Sequence, residues 1–191
     1  MADLSPPAER ELTQTRSIVC RGYARADGLW DVEAHLTDTK PFDVDRPRFG
    51  LPKPAGHPLH EMKIRVTIDG DMLIHDAEAA TIHAPFEPCA VPPTVFPKLM
   101  GLSFKKGWKR DVAKIMGGTR GCTHLRELLG VLATVCYQTV VSTDEYFAKI
   151  DSGEIEPFFI GTCHAYEQSG PVIKRLYPDF YEPVSRDNGD S

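Results

Sequence analysis

Two separate stretches of the chain alternate strictly between apolar and polar residues. Trp30, Val32, Ala34 and Leu36 interleave with Asp31, Glu33 and His35, and Met62, Ile64, Val66 and Ile68 interleave with Lys63, Arg65, Thr67 and Asp69. A period of two sends successive side chains to opposite faces, so each stretch reads as a strand with one buried and one wet face. The surrounding turn signals say how such strands pair. Asp27-Gly28 follows the β-prone run Ile18 to Ala24, and Asp69-Gly70-Asp71 precedes a further run from Met72 to Ala80. The expectation is an antiparallel sheet of two β-hairpins.

Beyond Pro85 the period changes. Trp108, Val112, Ile115 and Met116 fall at i, i+4, i+7 and i+8 and predict an amphipathic helix ended by Gly117-Gly118. From Cys122 a longer helical pattern carries Leu125, Leu128, Leu129, Leu132, Val135, Cys136 and Val140 on one side and Val131, Ala133 and Tyr137 elsewhere. Being apolar nearly all round, it predicts the central buried helix, over about residues 123 to 141. Ser142-Thr143-Asp144-Glu145 has capping-box spacing and predicts the start of a new helix. Strands first and helices second give an α+β fold with helices packed on one face of the sheet. A single domain over residues 16–181 is expected, flanked by flexible ends at 1–15 and 182–191. Residues 40–59, with five prolines and no period, read as a long connection.

A net charge of −5 argues against a general nucleic-acid binder, which needs basic residues in excess to replace counterions along phosphates. The basic cluster Lys105, Lys106, Lys109, Arg110 and Lys114 is local and reads as the solvated face of a helix. No run approaches the roughly 20 apolar residues of a membrane helix, and the opening MADLSPPAERELTQTR lacks an apolar signal segment, so a cytoplasmic protein without a membrane partner is expected. Five widely spaced cysteines, at positions 20, 89, 122, 136 and 163, fit reduced thiols rather than a disulfide framework.

Those thiols lie beside imidazoles. Gly117-Gly118-Thr119-Arg120-Gly121-Cys122-Thr123-His124 is a flexible loop delivering a cysteine and a histidine to the start of the buried helix, where a thiolate is favoured. His57-Pro58-Leu59-His60-Glu61 stands at the mouth of the third strand, Cys89 lies in the loop leaving the sheet, and Cys163-His164 lies near the end of the chain. Imidazole and thiolate together suit zinc or iron, and the ends of elements cluster at one rim of a sheet. His60, Cys89, Cys122 and His124 are therefore the expected metal ligands, although none forms a tight C-x-x-C or H-E-x-x-H pair. Asp31, Glu33, Glu61 and Glu127 are available for acid and base work. Glu127, three residues beyond His124, can also reach it as a supporting partner. His35 and His75, within strands, read as structural.

The strings Cys20-Arg21-Gly22-Tyr23, Ala26-Asp27-Gly28-Leu29-Trp30-Asp31, Asp38-Thr39-Lys40, Gly121-Cys122-Thr123-His124-Leu125 and Gly161-Thr162-Cys163-His164-Ala165 resemble a bacterial domain-of-unknown-function family, number 2889. A second similarity runs from His60-Glu61-Met62-Lys63 through the Ile68-Asp69-Gly70 turn to Asp76-Ala77, then Cys89, then Cys122 opening a helix. In order it is similar to iron-sulfur scaffold proteins of the nitrogen-fixation type, which bind zinc or a cluster at the end of a sheet. That resemblance implies Cys89 as the second cysteine, Cys122 as the helix-start cysteine and His60 at the acidic ligand position. The first cysteine of the pattern falls near Pro58 and is missing. The departure favours a mononuclear ion over a cluster.

The expected function is thus a small metalloenzyme with one divalent ion, zinc ahead of iron, performing lyase, hydrolase or isomerase chemistry on a small organic or aromatic substrate. The rivals are a sulfur or iron-sulfur carrier in which Cys122 handles sulfur, and a metal-free binding module.

Overall fold

The computed structural model describes residues 4–45, 52–90, 92–105 and 107–183. Part of the proline-rich connection (46–51), Lys106 of the basic cluster and the last residues of the chain lie outside these. The chain divides into two compact units, residues 1–143 and 144–191.

The first unit is the α+β layer expected from the periodicities. Four strands, β1 (Thr15–Ala24), β2 (Trp30–Thr39), β3 (Pro58–Ile68) and β4 (Ile74–His83), form an antiparallel meander in the order β1-β2-β3-β4. The first hairpin turns at Asp27-Gly28, where Gly28 takes φ 82°, a region that favours glycine. The second turns on Asp69, whose carboxylate accepts the backbone N–H groups of Asp71 and Leu73. β4 begins at Ile74 rather than Met72, because Met72 has φ 62° and belongs to the turn, with its side chain buried.

One face of the sheet carries the core. Val32, Ala34, Leu36, Met62, Ile64, Val66 and Ile68 are all 2% exposed or less. Helix α2 (Thr123–Val141) covers them from β1 to β3 and contributes Leu125, Leu128, Leu129, Leu132, Cys136 and Val140. Val135 and Trp30 are only half-buried, and Val131 is exposed. Helix α1 (Trp108–Met116) buries Trp108, Val112 and Met116, as its i, i+4, i+8 spacing requires. Of the basic cluster, Lys105, ahead of the helix, pairs with Asp71, and Arg110 and Lys114 on the helix pair with Asp111.

α2 runs alongside β1. It meets Arg16 near its start, through Glu127, and Gly22 near its end, through Thr139. The approach at Gly22 is so close that a Cβ there would lie 2.0 Å from Thr139 Oγ1. Cys20 and Cys136 face this interior, and burial pushes both thiols up, which suits small packing groups rather than nucleophiles.

The second unit contains α3 (Asp144–Asp151), which starts where a new helix was expected although the Ser142 and Thr143 hydroxyls donate back to the Gln138 and Val140 carbonyls rather than forming a capping box, and α4 (Pro171–Leu176). Between them Phe159 meets the rings of Tyr166 and Tyr177. Cys163 is exposed. Among the described residues no helix is long and apolar enough to cross a membrane.

Candidate metal centre

The apolar face of the sheet does not end apolar. Arg16 shares the parity of Ile18 and Cys20 on β1, Asp38 that of Ala34 and Leu36 on β2, and His60 that of Met62 and Ile64 on β3. The register pairs Arg16 with Asp38 and Asp38 with His60, so the three form one polar row across the end of the core face. The start of α2 lies over this row and supplies His124 and Glu127.

Asp38 is the centre of the group, with a side chain only 3% exposed. Arg16 donates Nε to Oδ1 and an Nη to Oδ2, both at 2.7 Å, and its other Nη lies 3.2 Å from Glu127 Oε2. His60 Nδ1 lies 3.2 Å and His124 Nε2 3.9 Å from Asp38 Oδ2. The two imidazole rings are tilted by 32°, with centroids 4.0 Å apart. Asp38, His60 and His124 each offer one donor atom, and these atoms all lie within 4.8 Å of one another.

The surroundings shift two of these groups, Asp38 and His60. Burial alone would push the Asp38 carboxyl up, but the hydrogen bonds and charge of Arg16, helped by the imidazoles, hold it below the usual carboxylate range. His60 is held below the ordinary imidazole value by burial first and by its neighbour His124 second, against the pull of Asp38. An ionised carboxylate beside a neutral imidazole is the protonation state that coordination requires.

Of the residues expected from sequence, His60 and His124 come together here, while Asp38, not among them, joins them. Cys122 is adjacent: its Sγ lies 3.8 Å from His124 Nδ1. It does not enter the group of three. Cys89 sits in a short 3-10 turn, Glu87–Ala90, after β4, where its carbonyl accepts the Thr81 hydroxyl, and it too stands outside the group.

The acidic residues divide between faces. Glu127 is on the same face as Asp38, His60 and His124, tethered by Arg16. Glu61 follows His60 on β3 and so points to the opposite face, where it accepts hydrogen bonds from His35 at 2.9 Å and His83 at 2.8 Å. Those two partners, His83 first, hold its carboxyl below the usual range. Glu33, also on that face, lines a shallow groove of about 430 Å³ with His35, Arg21, Lys63 and Arg65. There Arg21, Glu33, Arg65 and Glu78 face one another across four strands with alternating sign, and Arg65 and Glu78 form an ion pair. Such a row neutralises itself and stabilises pairing of the strands.

Asp38 was legible in principle. Continuing the alternation Val32, Ala34, Leu36 by one step places it on the buried face, where an acid needs a partner.

No curated protein and no solved structure matches the chain. A family model described as a protein of unknown function, DUF2889, matches residues 14–138. That span runs from the start of β1 almost to the end of α2 and contains Arg16, Asp38, His60, Cys122, His124 and Glu127. The chain belongs to the DUF2889 family.

Proposed function

We propose that the chain holds one divalent metal ion at Asp38, His60 and His124 and is a small metalloenzyme acting on a small organic or aromatic compound. The observation that supports this reading is the convergence of three donors at the otherwise apolar end of the sheet. With bonds of about 2.1 Å, donors around a tetrahedral ion lie about 3.4 Å apart. The separations of 3.2 and 3.9 Å from Asp38 fall either side of that edge. Two imidazoles and one carboxylate suit zinc and also ferrous iron, with zinc the first ion to test. The absence of sulfur from the group favours a mononuclear ion over a cluster, which thiolates normally hold.

When bound, such an ion supplies a Lewis acid able to polarise a carbonyl or lower the pKa of water, the basis of hydrolase, lyase or isomerase chemistry. The chain supplies the rest. Arg16 fixes both oxygens of Asp38 and offsets part of its charge, leaving one lone pair on each oxygen for other partners. Glu127, one turn along α2 from His124 and 53% exposed, is the carboxylate on this face placed to take or return a proton.

Turnover tests the enzymatic part. Zinc-loaded protein is to be assayed against a panel of small esters, lactones and hydroxy acids. Turnover should disappear on chelation, and Glu127→Gln should lower kcat about 10²- to 10⁴-fold while retaining metal. Equal rates from loaded and stripped protein would remove the metalloenzyme reading.

A further inference from the structure

We infer that Cys122 is a positioning residue that holds His124 from outside the metal group and selects its tautomer. The inference rests on the metal reading above. His124 is flanked on opposite edges: Asp38 Oδ2 lies 3.9 Å from Nε2, whereas Cys122 Sγ lies 3.8 Å from Nδ1. An ion shared with Asp38 and His60 takes Nε2, and the thiol is then on the far edge of the ring.

Coordination through Nε2 requires the neutral ring to carry its proton on Nδ1, and that N–H needs an acceptor. Histidine ligands usually find one in a carboxylate or a backbone carbonyl. Here the sulfur of Cys122 stands in that place, at a separation suited to a hydrogen bond to sulfur.

The local backbone explains how. Cys122 is the N-cap of α2, with extended φ −87° and ψ 130°, and its carbonyl accepts the N–H of Arg126. N-cap side chains ordinarily accept a backbone N–H of the first turn, but the Cys122 side chain makes no such bond. It turns instead to the ring of His124, the second helical residue. A cysteine and a histidine two apart point in different directions within a regular helix, and the extended cap is what brings them together.

Cobalt(II) tests the assignment in the full chain, because thiolate ligation gives an intense sulfur-to-metal charge-transfer band in the near ultraviolet and imidazole-carboxylate ligation does not. Wild-type protein should bind one cobalt ion without that band. Cys122→Ala should weaken cobalt binding about 10- to 100-fold, the usual penalty for losing an outer partner of a ligand. Cys122→Ser, whose hydroxyl can accept from Nδ1–H, should recover most of the loss. A charge-transfer band in wild type that vanishes in Cys122→Ser would overturn the inference by making Cys122 a ligand, while leaving the metal site standing. Unchanged affinity in Cys122→Ala would overturn it also. Failure of wild type to bind cobalt or zinc would instead bring down the metal reading on which it rests.

Discussion

Arg16 and Asp38 occupy facing positions of β1 and β2 and are joined by two hydrogen bonds of 2.7 Å, so a nearly buried carboxylate meets a guanidinium fork at the end of the core. Removing one partner of such a pair strands the other. Loss of a partner in a fully buried pair costs roughly 3–5 kcal/mol. Arg16 is about one-third exposed, so water can partly replace it, and Arg16→Met should cost about 2–3 kcal/mol. Chemical denaturation measures this, and an unchanged midpoint would mean that Asp38 does not depend on Arg16.

The close passage of α2 over β1 makes Gly22 a second sensitive point. Gly22→Ala sets a methyl group 2.0 Å from Thr139 Oγ1 and should destabilise the protein by about 1–3 kcal/mol. Adding Thr139→Ala removes the two nearest atoms and should restore part of the loss. If the double variant were no more stable than Gly22→Ala alone, the crowding would lie elsewhere.

Leu132 is fully buried beneath the sheet, on the face of α2 that the leucine spacing marks out. Leu132→Ala should cost about 2–5 kcal/mol. A denaturation midpoint equal to wild type would contradict this placement of the core.

Acid should unfold the metal-free protein in stages. The folded-state values of both His60 and Asp38 are lowered, so in each case the unfolded chain binds more protons as pH falls and stability drops with it. For His60 the loss begins below its ordinary value of 6.5, and for Asp38 below 3.8. His60→Gln should therefore flatten the first decline of melting temperature and keep the second. Parallel profiles for wild type and variant would show that His60 titrates alike in both states.

The fold was legible because period two and period 3.6 follow directly from burying one face of a strand and one side of a helix. The helix expected over residues 123–141 is the observed α2, and the alternating segments around residues 30–36 and 62–68 are β2 and β3. The site was only half legible. His60 and His124 stand out as imidazoles at the ends of elements, and their approach depends on how α2 crosses the sheet. Asp38 and Arg16 were hidden for a different reason: each is an ordinary charged residue, marked only by continuing the parity of a buried strand face. Glu61 misled through its position beside His60, since adjacent strand residues point to opposite faces. Cys122 stands two residues before His124 and Cys89 lies in the turn after β4, and neither joins the three donors in space.

The central claim, a metal ion held by Asp38, His60 and His124, is tested most directly by calorimetric titration of zinc into tag-free, metal-stripped protein. Wild type should take up one ion per chain, and Asp38→Asn, His60→Ala and His124→Ala should each lose that uptake. Cys89→Ser should keep it. Zinc uptake that survives all three ligand substitutions, or a wild-type protein that takes up none, would contradict the claim.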